Sequence, residues 1–447
     1  MTVARPTGEP TERLVGGPAG GGPAGGGPTG GGPTGPPTAP RPLSRNRAYN
    51  ILWTGQLLSE LAFEIAMVAF PLLILAHTGS AIRMGIASSL LAAVRMLAAV
   101  PAGAIADRWN RRTVMLACQG LRAVSMGSLA AALALDRYSY GHLLAVVVLE
   151  GVLGSVFEPA EHAALPQVVP ESQLSTAVAR NAARPFVATL LGPSVAGFLF
   201  SAHPTDPFTV TAAMLALSAG AMTLLRLPPV ARPDTGEADG GTGGGMTAGL
   251  RWVLRNRVLR TTLLWMMGTN LVFNALLVII LALSHEDHTA PGEVGLMMAC
   301  LGAGGLLGAG LAPWLHRRLP APVLVLGFAW LSAVATGLMA VVSGGVPLGV
   351  LLGLAALFAP VANTTVMTHQ LLVTPDGMRG RVSSISALCA SGAGALGPLV
   401  GGVLVSRAGG GTDAVLACGA ALALIAVGTT ASPVLRRFPT SSGRSHE

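Results

Sequence analysis

The chain has 447 residues, of which 51% are hydrophobic and only 11% charged, and its formal net charge is +8. A soluble domain carries about 25% charged residues, and apolar runs with no polar face at helical spacing exclude a soluble helical bundle. No lysine is present, so all 28 basic residues are arginine; this excludes a GxxxxGK phosphate loop, and with it an ATP-driven pump in this chain, as well as a lysine Schiff base.

Residues 1–43 form a tail in which Pro18, Pro23, Pro28 and Pro33 recur every five residues in a glycine background. Collagen needs glycine at every third position, and this stretch has almost nothing to bury, so a disordered tail is expected. It lacks the apolar core and cleavage site of a secretory signal.

Apolar runs then follow one another, each able to cross ~30 Å of hydrocarbon as a helix. In the first half, 44–227, they are 49–75, 84–106, 113–135, 142–159, 174–201 and 208–227. In the second, 261–436, they are 261–283, 294–315, 322–343, 346–369, 381–406 and 414–435. Between the halves lies a linker, 228–260, rich in Gly, Pro and Asp up to residue 245. Its end, Met246 to Arg260, alternates Leu250, Trp252, Val253 and Leu254 with Arg251, Arg255, Arg257 and Arg260. That pattern predicts a short helix lying in the membrane interface. Residues 437–447 are a second tail.

The expected fold is an all-α integral membrane protein with twelve transmembrane helices. One side of these spans holds 21 arginines and the other only Arg83, Arg137 and Arg407, while Arg95, Arg122, Arg180 and Arg184 lie within spans. By the positive-inside rule both termini face the cytoplasm of a multi-pass protein of the inner or plasma membrane. Arginines scattered in boundary clusters do not make a nucleic-acid face. Cys118, Cys300, Cys389 and Cys418 lie in apolar runs without a CxxC pair and read as small buried hydrophobes. His162 and His369 sit at helix ends, and His285, Glu286, Asp287 and His288 crowd one short loop that reads as solvated; no metal or other cofactor is expected.

The chain is written twice. The charge-dense turn from Gly103 through Asp107, Arg108, Trp109, Asn110, Arg111 and Arg112 returns 205 residues later, with Gly103, Ala104, Trp109 and Arg112 falling on Gly308, Ala309, Trp314 and Arg317. At the same offset Pro170 falls on Pro375, and Gly192-Pro193 on Gly397-Pro398. Two parallel six-helix halves with a site between them near the midplane are a common plan of secondary transporters.

These residues resemble a known family. Gly103-x-Ile105-Ala106-Asp107-Arg108-x-x-Arg111-Arg112 is similar to the signature between helices 2 and 3 of the major facilitator superfamily, and the resemblance covers nearly all of 45–436. Phe157-Glu158-Pro159-Ala160 and the run from Thr374 to Val382 resemble its enterobactin-exporter-like and drug-efflux branch. The resemblance implies that Asp107, Arg108, Arg111 and Arg112 lock the cytoplasmic face, with Glu158 or Glu161 as partner of Arg111; holding topology is the other role open to these arginines. Asn110 stands where the signature has glycine, and Ala312 replaces the acid in the second copy. Gly192, Pro193 and Gly197, and Gly397, Pro398, Gly401 and Gly402, resemble the helix-bending motif of exporters; close packing is their alternative role.

Ionisable groups inside a membrane are costly and mark pathways or proton sites. Glu60 and Glu64 lie one turn apart in the first span, Arg95 in the second, Arg122 in the third and Glu150 in the fourth, whereas Asn270, Asn274 and Asn363 are the polar groups of spans seven and ten. The resemblance implies that spans 1, 4, 7 and 10 line the cavity. Burial favours a neutral carboxyl and a nearby arginine favours a charged one, so Glu60 or Glu64 can exchange a proton against Arg95; a static pair joining spans 1 and 2 is the alternative. Glu150 reads equally as pathway or inter-helix bond. The expected activity is export of amphiphilic small molecules (drug, antibiotic or siderophore-like) by proton antiport and alternating access, as a monomer among membrane lipids, with an importer or uniporter as the alternative.

Overall fold

A computed structural model describes residues 43–225, 250–342, 344–375 and 378–433, the side chains of Ala106 and Asp107 excepted, all within the unit Pro42–Glu447. Both tails and the 228–245 linker lie outside the described residues, save Leu43.

Capping decides where the helices start and stop. Helix α1, Arg47–Thr78, opens on Asn46, whose side chain accepts from the Tyr49 N–H at 3.1 Å. It closes on Gly79 at φ 60°, a left-handed conformation that costs a glycine nothing. Ser80 follows at once as N-cap of α2, Ala81–Arg108. Asn110 caps α3, Arg111–Ala134, accepting from the Arg112 and Thr113 N–H groups at 3.0 and 3.4 Å. Ser139 caps α4, Tyr140–Val168, and α5, Leu174–Ala202, and α6, Asp206–Thr223, complete the first half. The second half holds α7, Arg257–Glu286, α8, Pro291–Arg318, α9, Ala321–Met339, α10, Val346–Val373, α11, Arg379–Ala408, and α12, Gly411–Ala431. Among the described residues eleven helices are long and apolar enough to cross a membrane. The remaining one, α6, has 18 residues and begins on polar Asp206.

Hydropathy placed these helices but not their ends. Most outlast their apolar runs, because the cap lies beyond the last apolar residue. Helix α9 instead stops at Met339, short of the expected 343, ahead of a turn through Gly345 at φ 73°. Helix α10 is broken at Phe358 into Val346–Leu357 and Ala359–Val373. Pro360 causes the break: it has no N–H, and its ring excludes the carbonyl four residues back. The predicted interfacial helix is corrected too. Residues 250–255 are helical, but Asn256 then accepts from the Val258 and Leu259 N–H groups at 2.9 and 3.4 Å and starts α7. Arg257 and Arg260 therefore belong to the first turn of α7. Val253 is buried against Leu259, Leu263, Val382 and Ile385. In the loop read as solvated, the Glu286 carboxylate accepts from the Gly411 N–H at 3.0 Å and caps α12.

Packing repeats as the sequence does. Helix α1 packs on α5 and α6, α3 on α4 and α6, and α2 on α4; six helices later, α7 packs on α11 and α12, α9 on α10 and α12, and α8 on α10. The halves meet where α2 packs on α11 and α5 on α8, pairs that exchange under the same shift. Such a pattern belongs to two parallel copies related by a two-fold axis. Large apolar side chains cover the outside, among them Leu424 at 73% and Val124 at 70% exposed. A surface of this kind is stable against lipid and not against water.

Candidate functional site

The halves are sealed at one end. Turns 79–80, 203–205, 287–290 and 409–410 mark the arginine-poor end, and the contacts between halves gather there. A Cβ built on Gly295 would stand 2.6 Å from the Pro193 carbonyl oxygen, and one on Gly85 would collide in the same way with that of Pro398. Gly197 likewise abuts the Pro291 carbonyl, and Gly402 that of Ala81. The two seams are copies: Ala81 and Gly85 of α2 stand as Pro291 and Gly295 of α8, while Pro193 and Gly197 of α5 stand as Pro398 and Gly402 of α11. The Leu399 N–H donates to Ser89 Oγ at 2.9 Å across one seam, and the Gly292 N–H to Ser201 Oγ at 2.8 Å across the other. Only glycine permits backbones this close. So Gly197 and Gly402 of the predicted bend motifs serve contact between the halves, and α5 and α11 run unbroken through Pro193 and Pro398.

The glycine contacts between the halves reach as far as Gly302 against the Thr189 carbonyl, midway along α8 and α5, and nearer the arginine-rich end of α2, Leu97 and Val100 are 68% and 82% exposed. The central cavity between the halves measures about 710 Å³ and is walled by α2, α4, α7 and α11, with Arg95, Met96, Glu158, Asn270 and Asn274 in its lining. A second cavity of about 430 Å³ lies within the first half, walled chiefly by α1, α4 and α5. The two adjoin at Arg95, Glu158 and His162, which line both.

The inner cavity gathers charge. Arg184, its side chain 3% exposed, donates to Gln56 Oε1, lies 2.9 Å from Glu60 Oε1 and 3.6 Å from Glu161 Oε2. Glu64 accepts from Thr189 Oγ1 at 3.0 Å, and its Cβ lies against Gly192, where a side chain would not fit. In the second half Gly397 abuts Asn274 in the same manner. Glu60 and Glu64 thus have Asn270 and Asn274 as their counterparts, so the carboxylate pair of one half is an amide pair in the other. Both asparagines bond back to their own helix, to Met266 O and Asn270 O at 2.9 Å. Gly401 abuts the Ala275 carbonyl in the same interface.

Arg95 makes no ion pair within 4 Å with Glu60 or Glu64, though it stands near enough for its charge to act on Glu64. It lies 3.6 Å from Glu158 and 4.3 Å from the centre of the Phe63 ring. Arg122 and Glu150 form a buried, doubly bonded pair inside the first half. Arg122 forms part of the inner cavity wall, and Glu150 lines neither cavity. Asn363 is exposed on α10 and also lines neither. Arg184 was counted within a span but given no role; an arginine in an apolar run was the signal that flagged it.

The charge-dense turn is built differently from the expectation. Arg111 donates to the Ala163 carbonyl at 2.7 Å, not to Glu158 or Glu161. Arg112 donates to the Met222 and Thr223 carbonyls at 3.3 and 2.5 Å and so satisfies the orphan end of α6. Arg108 is exposed, Gly103 is half-buried, and the side chain of Asp107 lies outside the described residues. Asn110 replaces the signature glycine without harm because both residues serve as N-caps. We expect Asn110→Ala to cost about 1 kcal/mol and Asn110→Gly only a few tenths, read as shifts in the thermal unfolding of the purified protein.

Among the described residues twelve helices in two copies, eleven of them long and apolar enough to span a membrane, close at one end around a cavity, the plan of a membrane transporter. Residues 52–398 match the Major Facilitator Superfamily, and the chain belongs to it. It is 28% identical over 365 residues to the multidrug efflux pump Tap of Mycolicibacterium fortuitum, covering 77% of this chain and 86% of that protein. The multidrug efflux pump Tap of Mycobacterium tuberculosis (strain ATCC 25618 / H37Rv) is 27% identical over 388 residues, covering 82% and 88%. Among solved structures, the nucleoside transporter NupG superposes with a TM-score of 0.70 at 13% identity, over 86% of this chain and 98% of that one. An inward-facing bacterial homologue of the human lysosomal transporter Spinster gives 0.66 at 16%, over 86% and 96%. At these identities the structures speak for the fold alone.

Proposed function

We propose that the chain is a secondary active transporter that exports amphiphilic small organic molecules from the cytoplasm in exchange for protons. One observation carries this reading. The central cavity lies between the glycine seams and the arginine-rich end and adjoins a carboxylate-lined cavity, in a chain similar over most of its length to multidrug efflux pumps. The arginine-rich end faces the cytoplasm of the cell membrane, and both termini lie there. The form described is then the loading form, open inward.

Alternating access follows from the two seals. The paired glycine seams part at the outer end, while the turn that carries Asp107, Arg108, Arg111 and Arg112 meets the second half and closes the inner end. Glu60 and Glu64, on one face of α1 at the cavity, carry the proton in this scheme. They are the acids that the second half replaces with Asn270 and Asn274.

In cells stripped of their own efflux pumps, the chain is expected to lower accumulation of a fluorescent amphiphilic drug, and a protonophore is expected to restore it. Accumulation raised by the chain would favour the importer, and accumulation unchanged across a panel of such drugs would remove the export reading.

A further inference from the structure

The second half faces the central cavity with two amides, and their orientation is fixed. We propose that Asn270 and Asn274 form an acceptor pair that selects exported molecules carrying two hydroxyl or N–H groups about one helical turn apart. This rests on the export reading and names a chemistry that the site selects.

Orientation comes first. An asparagine amide can turn either edge outward, so its partners decide which end is free. Here each amide nitrogen meets a backbone carbonyl one turn back on α7. Nδ2 of Asn270 donates to Met266 O, and Nδ2 of Asn274 to Asn270 O, both at 2.9 Å. A carbonyl oxygen can only accept, so flipping either amide would set oxygen against oxygen. The Asn274 nitrogen is also turned toward α11, where a Cβ on Gly394 would stand 3.4 Å from it. The two Oδ1 atoms are left over. Neither has a hydrogen-bond partner among the described residues, yet neither is sealed from solvent. Both side chains line the central cavity, so these oxygens open onto it.

Spacing and fixity follow from the helix. The two residues share one face of α7, with their Cβ atoms about 5–6 Å apart. Asn274 has no room to move aside, because a Cβ on Gly397 would lie 2.6 Å from its own Cβ. Ala390, Ser391, Gly394 and Ala395 of α11 are small and leave space beside the amides. The first half carries the same pair as carboxylates, Glu60 and Glu64. An acid there can take up a proton, whereas an amide cannot, so recognition by the second half stays the same through the proton cycle.

An acceptor in an open cavity is hydrated until a guest arrives. A guest that offers hydroxyl or N–H groups replaces that water with little loss. One that offers ether oxygens removes the water and gives no bond back. Each bond regained is worth about threefold in affinity, and the two together about tenfold. The apolar body of the guest lies beside Ala92, Met96 and Ala99 of α2 on the opposite wall.

The test uses two uncharged fluorescent amphiphiles, the dansylamide of diethanolamine and its dimethyl ether, which differ only in their donors. Both are titrated by fluorescence onto the purified full-length protein. The diol is expected to bind the wild type about tenfold more tightly than the ether. Asn270→Leu with Asn274→Leu, which keeps the branched shape and removes both oxygens, should weaken the diol and bring the two compounds within about twofold. Each single change should remove part of the preference, and stands in if the double variant does not fold. Asn363→Leu, on α10 and outside both cavities, should leave the preference unchanged. Equal affinity of the two compounds for the wild type, or a preference that survives the double change, would overturn the proposal. Cellular export of the two compounds separates this from the export reading. Export of both without any preference for the diol sinks the acceptor pair alone, whereas diol-selective binding with no export sinks the transport direction and leaves the pair standing.

Discussion

Glu150→Ala is expected to destabilise the protein by about 3–5 kcal/mol, the cost of stranding a buried charge without its partner. The stranded charge is Arg122. Its Nε donates to both Glu150 oxygens at 3.0 Å, and its Nη1 donates to Ser59 Oγ at 2.7 Å and Gln119 Oε1 at 2.9 Å. Gln119 passes the chain on to Ser218 Oγ at 3.0 Å, and Ser218 to the Gly55 carbonyl at 2.8 Å. One network thus pins α1, α3, α4 and α6 together near the middle of the first half. Both side chains of the pair are nearly inaccessible, at 3% and 2%, so neither water nor lipid headgroups can replace a lost partner. The double change Arg122→Met with Glu150→Leu should recover most of the loss, since a well-packed apolar pair often matches a buried ion pair. Unfolding of the purified variants in mild detergent checks both. A single variant as stable as the wild type would show that this pair does not hold the bundle.

A second large effect is expected at the seams. Leucine at Gly295 or Gly85 must push α8 from α5, or α2 from α11, because even a methyl group there meets a backbone carbonyl. Overpacking costs about 1–3 kcal/mol, and here it falls only on the form closed at the arginine-poor end. That corresponds to roughly a 5- to 150-fold shift toward the opposite form. Spin labels in the turns after α3 and α9, in a background lacking Cys118, Cys300, Cys389 and Cys418, would report it as a longer distance between the halves. The two substitutions should act alike, since the seams are copies of each other. A distance unchanged in both would mean that these glycines do not govern closure.

The sequence carried the membrane class, the two copies and the arginine asymmetry openly, because each depends on composition or on recurring residues. The fixed offset itself fails in α2, whose Ala81–Arg108 stands as Pro291–Arg318, so that Arg317, and not Ala312, is the counterpart of Asp107. Helix ends were less legible. Asn256 starts α7 four residues before the apolar run, at 257 and not 261, because a cap is one polar residue and leaves no trace in a hydropathy window. Charge partners were illegible. Arg95 reaches Glu158, and Arg184 reaches Glu60 and Glu161, across helices whose neighbours are set by packing far along the chain. The Gly-Pro stretches were recognised as sites of bending or close packing, yet nothing in the linear text named Gly85 and Gly295 as the surfaces they meet. Asn110 was legible in retrospect, because an asparagine just before a helix is an N-cap by chemistry.

Proton exchange at the acids of the first half is the claim on which the functional account stands. It is tested most directly in proteoliposomes of the purified protein, with drug uptake and proton release followed together under an imposed pH gradient. Drug movement should follow the pH gradient and stop when it is collapsed, and the Glu60→Gln, Glu64→Gln double variant should lose this dependence. Drug that crosses equally fast with and without the gradient, or a double variant that still moves protons against drug, would contradict it.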